Sequence, residues 1–361
     1  MSALIPQSQA STVQAIYRLH ELREAEDPPR GHLGASVIGR PCERALWYAF
    51  RWATPSTFSG RMLRLFERGQ LEEARFVSEL RGIGAEVFET DPETGGQFRY
   101  TDVDGHFGGS MDGAACGIPE APKTWHVLEF KTHNLRSFGE LKNKGVHESK
   151  PEHWSQMQCY MGWSGMDRAL YLAVCKDNDE LYAERIEADP LAFIELVEKA
   201  RRIIHAAEPP QRISNDPAWW ICKMCDHRAA CHGESAPAAT CRTCAHSTPM
   251  PGGEWNCGHW QDAIPLDAQR EGCDAHRFIP SVLAFAEPID ATPEGAVIYA
   301  CRMDGQKFVN GESGTEVKDE KGGFLPVYPS SELAGKPAAL IADPFVSATK
   351  KTFSATMTVS A

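Results

Sequence analysis

The seven-residue segment WHVLEFK, residues 125–131, constrains the fold more than any other part of the chain. Side chains two apart in a strand face the same side, so Leu128 and Phe130 enter one layer while Glu129 and Lys131 project together into the other. A charged pair is therefore offered at one place on a strand whose opposite face is apolar. We predict that this strand belongs to a sheet with a site on its charged face.

Hydrophobic patterns on both sides of this strand predict helices before it and further strands and helices after it. A 3.6-residue period indicates helices, and a two-residue alternation indicates strands. The predicted elements are helices over 12–27, 61–80, 151–163 and 190–207, a hairpin over 96–116 around DVDG, and two strands over 168–186 joined by KDND. This order predicts an α/β fold with a mixed central sheet flanked by helices, in which sites form at strand ends.

The last third of the chain differs in composition. GESAPAAT, 233–240, is typical of a linker, 241–280 is rich in cysteine, and short strand-like pieces with Gly and Pro turns follow. A chain of 361 residues is long enough for two or three structural units. We predict three domains, 1–236, 237–281 and 282–361, of which the last is a β-rich tail.

Composition argues against two classes of protein. No apolar run approaches the roughly 20 residues that span a bilayer, and MSALIPQSQA lacks the features of a secretory signal, so we expect a cytoplasmic protein with no membrane partner. A net charge of -12 argues against nonspecific coating of nucleic acid, because phosphate neutralisation needs clustered Lys and Arg. Residues 30–75 hold eight Arg and four acidic residues. This local excess is either a binding patch or an ordinary solvated helix surface.

A second acidic residue is predicted beside Glu129. Asp112, in GGSMDGA, falls on the preceding hairpin strand, where its carboxylate would stand next to that of Glu129. Neighbouring carboxylates repel unless a cation lies between them, and hard oxygen ligands suit Mg²⁺ or Mn²⁺. Lys131 would then orient a water or offset developing charge in phosphodiester hydrolysis. The alternative is that E-x-K is an exposed ion pair worth less than about 1 kcal/mol.

Two predicted helices carry further polar pairs. Gly69 and Glu73 lie one turn apart on the upstream helix, and Gln156 and Tyr160 lie one turn apart on the downstream helix. We expect both helices to face the site.

Taken in order, these residues resemble the motifs of the PD-(D/E)XK nucleases. The family motifs G-x-x-x-(H/E), G-x-x-D, E-x-K and Q-x-x-x-Y correspond to Gly69 with Glu73, Gly109 with Asp112, Glu129 with Lys131, and Gln156 with Tyr160. The resemblance covers roughly residues 30–232 and is to the RecB-like branch, which includes lambda-exonuclease-like and CRISPR-associated iron-sulfur exonucleases.

This resemblance implies a restriction-endonuclease-like core within 1–236. By analogy, the functional residues are Glu73, Asp112 and Glu129 as metal ligands, Lys131 at the attacking water, and Gln156 and Tyr160 as groups that position Lys131 or the DNA. The first motif often carries His where this chain has Glu73, and Glu72 is adjacent. The first ligand is therefore open between the two glutamates.

Eight of the twelve cysteines form two sets with short gaps, which in a reducing compartment favours metal ligands over disulfides. The first set joins the C-x₂-C-x₅-C triad of Cys222, Cys225 and Cys231 to Cys42. Thiolates bind zinc or an iron-sulfur cluster, so the residues leave the metal open, and His227 or His232 could replace one cysteine. The resemblance implies a [4Fe-4S] cluster, because iron-sulfur nucleases of that branch place one early cysteine and a late triad around it. By closing a long loop, the cluster would brace the fold.

The second set has the pattern C-x₂-C-x₁₂-C-x₁₅-C and comprises Cys241, Cys244, Cys257 and Cys273. Its segment is poor in aliphatic residues, so a four-thiolate Zn²⁺ site would supply the missing folding energy of a zinc-ribbon-like module. His276 is an alternative to Cys273, while His246 and His259 are expected to face solvent or support the ligands. The module would bind DNA or protein, or cap a domain edge.

The remaining cysteines and two aromatic runs are assigned mainly to packing. The cysteines in apolar contexts, typical of buried thiols, are Cys116, Cys159, Cys175 and Cys301. The run expected in the core comprises Trp47, Tyr48, Phe50 and Trp52. For Trp219 and Trp220 we favour packing around the first cysteine set over stacking on unpaired bases.

The predicted function is that of a Mg²⁺- or Mn²⁺-dependent DNA exonuclease acting on single-stranded or duplex ends, in repair, end processing or phage-type recombination. An endonuclease of the same fold is the nearest alternative. Hypotheses from other classes are a non-catalytic nucleic-acid-binding scaffold and an adaptor that binds a strand-annealing or recombination protein. The joint presence of Asp112, Glu129 and Lys131 argues against the scaffold.

Overall fold

The computed structural model describes residues 11–26, 30–55, 58–353 and 356–357. Its helices are α1 (Thr12–Glu26), α2 (Ala35–Ile38), α3 (Glu43–Phe50), α4 (Gly60–Gly82), α5 (Leu135–Ser149), α6 (Pro151–Ser164), α7 (Pro190–His205), α8 (Trp220–Lys223), α9 (Arg228–Cys231), α10 (Ser330–Leu333), α11 (Ala338–Ile341) and α12 (Pro344–Phe353). Its strands are β1 (Leu33–Gly34), β2 (Glu86–Phe88), β3 (Arg99–Asp102), β4 (Phe107–Ser110), β5 (Gly113–Cys116), β6 (His126–His133), β7 (Arg168–Cys175), β8 (Leu181–Glu187), β9 (Ser247–Met250), β10 (Glu254–Cys257), β11 (Asp262–Ala263), β12 (Ala286–Ala291), β13 (Val297–Cys301), β14 (Lys307–Asn310) and β15 (Val327–Tyr328). Within the described ranges, no helix combines the length and apolar character needed to cross a membrane.

The chain divides into two compact units that interleave along the sequence. The first, here called the sheet unit, comprises Met1–Arg30, Thr57–Tyr100 and Gly109–Leu196. The second, the cysteine unit, comprises Gly31–Ser56, Thr101–Gly108 and Val197–Ala361. This division into compact units does not test the three predicted domains, which stay a prediction: 1–236, 237–281 and 282–361.

A five-stranded mixed sheet forms the centre of the sheet unit, in the order β2-β5-β6-β7-β8. β6 pairs in parallel with β7, and the other neighbours are antiparallel. A parallel pair needs a crossover, which α5 and α6 supply between β6 and β7. β6, which contains most of the WHVLEFK segment, is therefore the central strand and is buried over most of its length.

The apolar face of β6 packs against α4. Phe76 and Leu80 of α4 join Leu128 and Phe130 of β6 in one buried cluster, and the rings of Phe76 and Phe130 stack 5.2 Å apart. Burying a large apolar side chain contributes about 1.5–3 kcal/mol, so these contacts hold the strand in place from that side. The charged face of β6 points the other way, as the strand period predicts.

The cysteine unit contains two small sheets and a buried arginine, Arg242, that lies among aromatic rings. Strands β9 to β11 form an antiparallel sheet, and β12 to β15 form a mixed one. Arg242 is buried with its guanidinium 3.7 Å from the centroid of the Trp52 ring, and it donates to the carbonyls of Gly31 and Phe50. A buried cation needs such partners, because leaving it unpaired is costly. Of the aromatic run predicted for the core, Trp47, Tyr48 and Phe50 are buried as expected, whereas Trp52 is half-buried.

Most of the predicted elements are confirmed. The helices expected over 12–27, 61–80, 151–163 and 190–207 are α1, α4, α6 and α7, with residue 27 outside the described residues. The two strands expected over 168–186 are β7 and β8, and the mixed sheet flanked by helices is present.

Three predictions need correction. The 96–116 pattern forms a hairpin only as far as β4, and Gly113–Cys116 is a separate strand of the central sheet. The 233–240 segment is packed, because Ala236 and Thr240 are buried and the Ala238 N–H donates to the Ala53 carbonyl. Small residues pack closely as readily as they form linkers, so composition was misleading there. The tail from 282 is only partly β-rich, since it ends in α10 to α12.

Candidate active site

The polar face of β6 carries Glu129, Lys131 and His133 at two-residue intervals. Glu129 is fully buried, Lys131 keeps 26% of its side chain exposed, and the Lys131 ammonium contacts Glu129 Oε1. Lys131 Nζ also donates to the Phe130 carbonyl at 3.1 Å. The pair is therefore not an exposed surface ion pair, because the carboxylate has no contact with solvent.

Asp112 lies in the two-residue connection between β4 and β5, and not on a strand as predicted. Its Oδ2 accepts a 2.9 Å hydrogen bond from the Phe130 N–H, which fixes its carboxylate to β6 next to Glu129. The backbone pairing of β5 with β6 begins at Gly113. One residue earlier, the Asp112 side chain takes the place of the β5 backbone and accepts from the Phe130 N–H of β6. Gly113 permits this connection, because its φ is +154° and a Cβ there would lie 2.6 Å from the Phe88 carbonyl oxygen.

Of the two adjacent glutamates on α4, Glu73 faces this group. Its pKa responds to Asp112 and Lys131, whereas Glu72 Oε2 lies 3.6 Å from Arg75 Nη1. Successive helical positions point about 100° apart, so only one of the two can turn toward the group. Of the two glutamates that the sequence left open as the first metal ligand, Glu73 is therefore the better candidate.

Burial and like charge raise the pKa of two carboxyls in this group. Burial is the largest cause for Glu129, whose pKa rises to about 7 with a further contribution from Asp112, although Lys131 opposes the rise. Burial and then Asp112 raise the pKa of Glu73 to about 7 as well. Burial alone would lower the pKa of Lys131, but Glu129 and Asp112 outweigh it and raise that pKa. A cation among these carboxylates would relieve their repulsion.

Gln156 and Tyr160 lie on the buried side of α6 and support the connection that carries Asp112. The Tyr160 hydroxyl donates to the Ser110 carbonyl at 2.7 Å, and the Gln156 amide donates to that hydroxyl at 3.5 Å. Burial and then Glu129 raise the pKa of Tyr160 above its usual value, so the hydroxyl keeps its proton and remains a donor. The predicted role of the two residues toward the lysine or the DNA stays a prediction.

Sequence reasoning missed three residues beside this group. Tyr171 on β7 pairs with Glu129 across the sheet, and its hydroxyl lies 2.8 Å from His133 Nε2 and 2.9 Å from His153 Nδ1. His133 is detectable in the sequence, because it continues the alternation of Glu129 and Lys131. Tyr171 and His153 depend on the register of β7 and the packing of α6, for which the sequence carries no local signal.

The members of the first cysteine set all lie in the cysteine unit. Cys42 caps α3, where its Sγ accepts from the Ala45 N–H at 3.4 Å. Burial, then the Cys231 and Cys42 thiols, raise the pKa of Cys222, and burial and the same two neighbours raise the pKa of Cys225. Such mutual influence requires that the thiols lie near one another, although Cys42 is far from the triad in sequence.

The two histidine alternatives in the first set have other neighbours. The His227 ring stacks on Tyr48 at 5.8 Å, and burial lowers its pKa to about 4. Burial and then Arg212 lower the pKa of His232. The cysteines remain the better candidate ligands.

The second cysteine set lines one cavity of the cysteine unit, and its members are Cys241, Cys244, Cys257 and Cys273. Burial, then the other three thiols, raise the pKa of Cys241 to about 11. His246 and His259 line the same cavity with ring centroids 5.3 Å apart. Nε2 of His276 lies 2.9 Å from the Thr240 carbonyl, so that nitrogen is occupied by a hydrogen bond.

In the positions they take here, no three or more His, Cys, Asp or Glu side chains of the described residues form a group that could hold a metal ion. At the carboxylates, the Lys131 ammonium supplies the positive charge next to Glu129. Both Glu129 oxygens are nevertheless buried and, that contact aside, neither has a hydrogen-bond partner in the described part of the chain. By donor type alone, the carboxylates suit a hard divalent cation, and the thiols of each cysteine set suit a thiophilic metal.

Two smaller predictions have mixed outcomes. Trp219 is half-buried but Trp220 is 69% exposed, so the favoured packing interpretation is wrong for Trp220. Of the cysteines in apolar contexts, three are buried as predicted, whereas Cys116 is half-buried.

Comparisons with known proteins leave the family open. No protein-family model matches this chain, and no curated protein matches it. Among solved structures, SSO0001 is similar over 62% of this chain and 98% of its own, with 16% identity and a TM-score of 0.38. LHK-Exo, an alkaline exonuclease from Laribacter hongkongensis, is similar over 52% of this chain and 90% of its own, with 18% identity and a TM-score of 0.35. A structure of LHK-Exo in complex with dAMP gives 17% identity, the same TM-score and 52% and 89% coverage. Similarity this low supports neither a shared family nor a shared activity, so the function has to be argued from the residues.

Proposed function

We propose that this chain is a divalent-metal-dependent DNA nuclease of the PD-(D/E)XK type. The observation that supports it best is Glu129, a fully buried carboxylate beside Asp112 and the ammonium of Lys131. Burying an acid lowers stability even when one ammonium contacts it, and an apolar residue would fill the same space at less cost. A buried acid at this position is best explained by a role in binding the catalytic cation.

In this proposal Glu73, Asp112 and Glu129 hold the cation. When bound there, Mg²⁺ or Mn²⁺ polarises a phosphoryl oxygen and makes water more acidic. Lys131, whose pKa is raised by its carboxylate neighbours, stays an ammonium. It orients the attacking water toward phosphorus and offsets charge as the bond to the leaving oxygen breaks. Tyr160 keeps the connection that carries Asp112 in place.

We infer an exonuclease rather than an endonuclease, acting on single-stranded or duplex ends in recombination, repair or end processing. The support for this finer statement is the resemblance of the four motifs, in their order along the chain, to those of the RecB-like branch. A strand-annealing or recombination protein as partner belongs to the same proposal.

A non-catalytic DNA-binding scaffold is the second candidate. One observation favours it: Lys131 contacts the carboxylate that a cation would use, so no ready-made metal site exists among the described carboxylates. In a decayed site this contact would be permanent, whereas in an active one the cation would displace it.

We further propose that both cysteine sets hold metal. The [4Fe-4S] cluster would take Cys42, Cys222, Cys225 and Cys231, and Zn²⁺ would take Cys241, Cys244, Cys257 and Cys273. The mutual rise in thiol pKa values supports proximity within each set, and a bound metal would reverse that rise by stabilising the thiolates.

The test is cleavage of end-labelled linear DNA and of circular DNA by anaerobically purified protein with Mg²⁺ or Mn²⁺. We expect wild type to cut, and Glu129→Gln to be slower by at least about 100-fold, because it removes a metal ligand. Glu187→Gln is the matched control, since Glu187 lies on β8 of the same sheet with 78% of its side chain exposed. Digestion restricted to linear DNA supports the exonuclease, and cut circles support the endonuclease. Equal cutting by wild type and Glu129→Gln, or none with any metal, favours the scaffold.

A further inference from the structure

A hydrogen-bonded group of three residues lies beside the candidate active site. Tyr171 is fully buried, and its hydroxyl lies 2.8 Å from His133 Nε2 and 2.9 Å from His153 Nδ1. The Tyr171 and His153 rings are 5.8 Å apart with a 24° interplanar angle, and His133 Nδ1 lies 3.0 Å from Ser137 Oγ. We call Tyr171, His133 and His153 the His-Tyr-His group.

The Tyr171 hydroxyl makes one hydrogen bond as a donor and one as an acceptor. The phenol has one proton, so it donates to one imidazole, and the other imidazole must donate to the phenol oxygen. Burial, then Lys150 and Lys131, lower the pKa of His133 to about 4, and burial, then Lys131, lower the pKa of His153 to about 3. Both imidazoles are therefore neutral at neutral pH, and the group is an uncharged chain of hydrogen bonds.

The group joins the three elements that carry or border the candidate catalytic residues. His133 extends from β6, the strand of Glu129 and Lys131, and Tyr171 extends from the neighbouring β7. His153 extends from α6, the helix of the Q-x-x-x-Y motif. Lys131 and His133 lie two residues apart on the same face of β6, and the Lys131 ammonium lowers the pKa of both imidazoles.

We propose that the His-Tyr-His group positions Lys131 by fixing β6, β7 and α6 to one another. The inference rests on the proposed nuclease function. Glu129 contacts the lysine ammonium, and the imidazoles near it are neutral, so they do not repel the ammonium from that contact. Misplacing a reacting group by about 1 Å can slow an enzyme on the order of 100-fold, so a brace that limits the lysine to one orientation matters for rate.

The first test compares variants of the two residues outside β6. Tyr171→Phe keeps the ring and removes both hydrogen bonds, and His153→Ala removes one. We expect kcat to fall about 10-fold in each, with KM for DNA unchanged, because orientation and not binding is lost. His153→Asn returns a polar group near the Nδ1 position and should recover most of the rate. Tyr299→Phe is the matched control, because Tyr299 is a buried tyrosine of the cysteine unit whose hydroxyl has no hydrogen-bond partner among the described residues.

The second test does not need activity. Reductive methylation of lysines, followed by mass spectrometry, reports how freely the Lys131 amine moves in protein without added divalent metal. We expect Lys131 to react several-fold faster in Tyr171→Phe than in wild type, while Lys144, exposed on α5, reacts equally in both.

The outcomes separate this proposal from the nuclease proposal. If wild type cuts no DNA, the nuclease proposal fails, and the methylation rates still judge the positioning of Lys131. Equal methylation of Lys131 and equal kcat in wild type and Tyr171→Phe would overturn the positioning role. Faster reaction of Lys144 as well, with no recovery in His153→Asn, would indicate general loosening and would overturn it too.

Discussion

At the residue scale, the Glu129 carboxyl links stability to chemistry in the sheet unit. With a pKa of about 7, its proton competes with any divalent cation for the same oxygens near neutral pH. Lys131 moderates the competition, because its ammonium contacts the carboxylate and lowers that pKa from the value that burial alone would give. Raising the pH through neutrality should therefore favour metal binding.

The same shift predicts how stability depends on pH. Between the ordinary value of 4.5 and about 7, the folded protein holds a proton on Glu129 that the unfolded chain has lost. The free energy of unfolding should therefore fall as pH rises through this window when no Mg²⁺ or Mn²⁺ is added. Thermal melting between about pH 5 and about pH 7.5 measures the slope.

Glu129→Gln should make this slope shallower, because it removes one of the two carboxyls whose pKa is raised. The contribution of Glu73, the other such carboxyl, should remain. Glu187→Gln serves again as the exposed control. An unchanged slope in Glu129→Gln would mean that this carboxyl does not titrate as proposed.

At the element scale, the short connection between β4 and β5 places Asp112, a proposed metal ligand, beside β6. After the β3–β4 hairpin the chain has to cross to β6, which it joins as β5. It makes this change within Met111 and Asp112. Gly113 allows it by combining a positive φ with close approach to the β2 backbone. The Tyr160 hydrogen bond to Ser110 then secures the other end of the connection.

Gly113→Ala should therefore damage both stability and cleavage. A Cβ 2.6 Å from the Phe88 carbonyl oxygen must push β2 and β5 apart, which we expect to lower the free energy of unfolding by about 2–3 kcal/mol. Because Asp112 is adjacent, cleavage should fall as well. Denaturant melts and the DNA assay measure the two effects.

Gly165→Ala separates crowding from backbone strain in this prediction. Gly165 ends α6 with φ +72°, but a Cβ there meets nothing within 4 Å. Its replacement should lower stability by about 1 kcal/mol and leave cleavage intact. Equal losses in the two variants would show that the contact with Phe88 is unimportant.

At the scale of the whole molecule, the chain passes between the two compact units several times before it reaches the cysteine triad. Cys42 and the triad belong to the same unit although the four polar motifs lie between them in sequence. A metal shared by these thiols would close a loop that includes most of the sheet unit, and long closed loops restrict the unfolded chain most.

Metal content tests whether the two cysteine sets act separately. Anaerobically purified wild type should be brown, with broad absorbance near about 400 nm, and should contain zinc in addition to iron. Cys225→Ala should lose the iron and the colour but keep the zinc, and Cys244→Ala should do the reverse. Cys301→Ala is the control, because Cys301 is a buried thiol of the same unit outside both sets. A colourless protein that contains only zinc would reverse the cluster assignment.

What the sequence by itself determined is local. The alternation in WHVLEFK places Glu129 and Lys131 on one face, the 3.6-residue periods locate α1, α4, α6 and α7, and the cysteine spacings define two sets. These features depend on residues within a few positions of each other, so a pattern is enough to predict them.

Only the tertiary structure decided the burial of Glu129, the turning of Glu73 toward it, the place of Asp112 in a connection, and the pairing of Tyr171 with β6. It also decided that 233–240 is packed. Register, burial and the resulting pKa shifts arise from segments far apart in sequence, because desolvation depends on what covers a side chain and not on its neighbours along the chain.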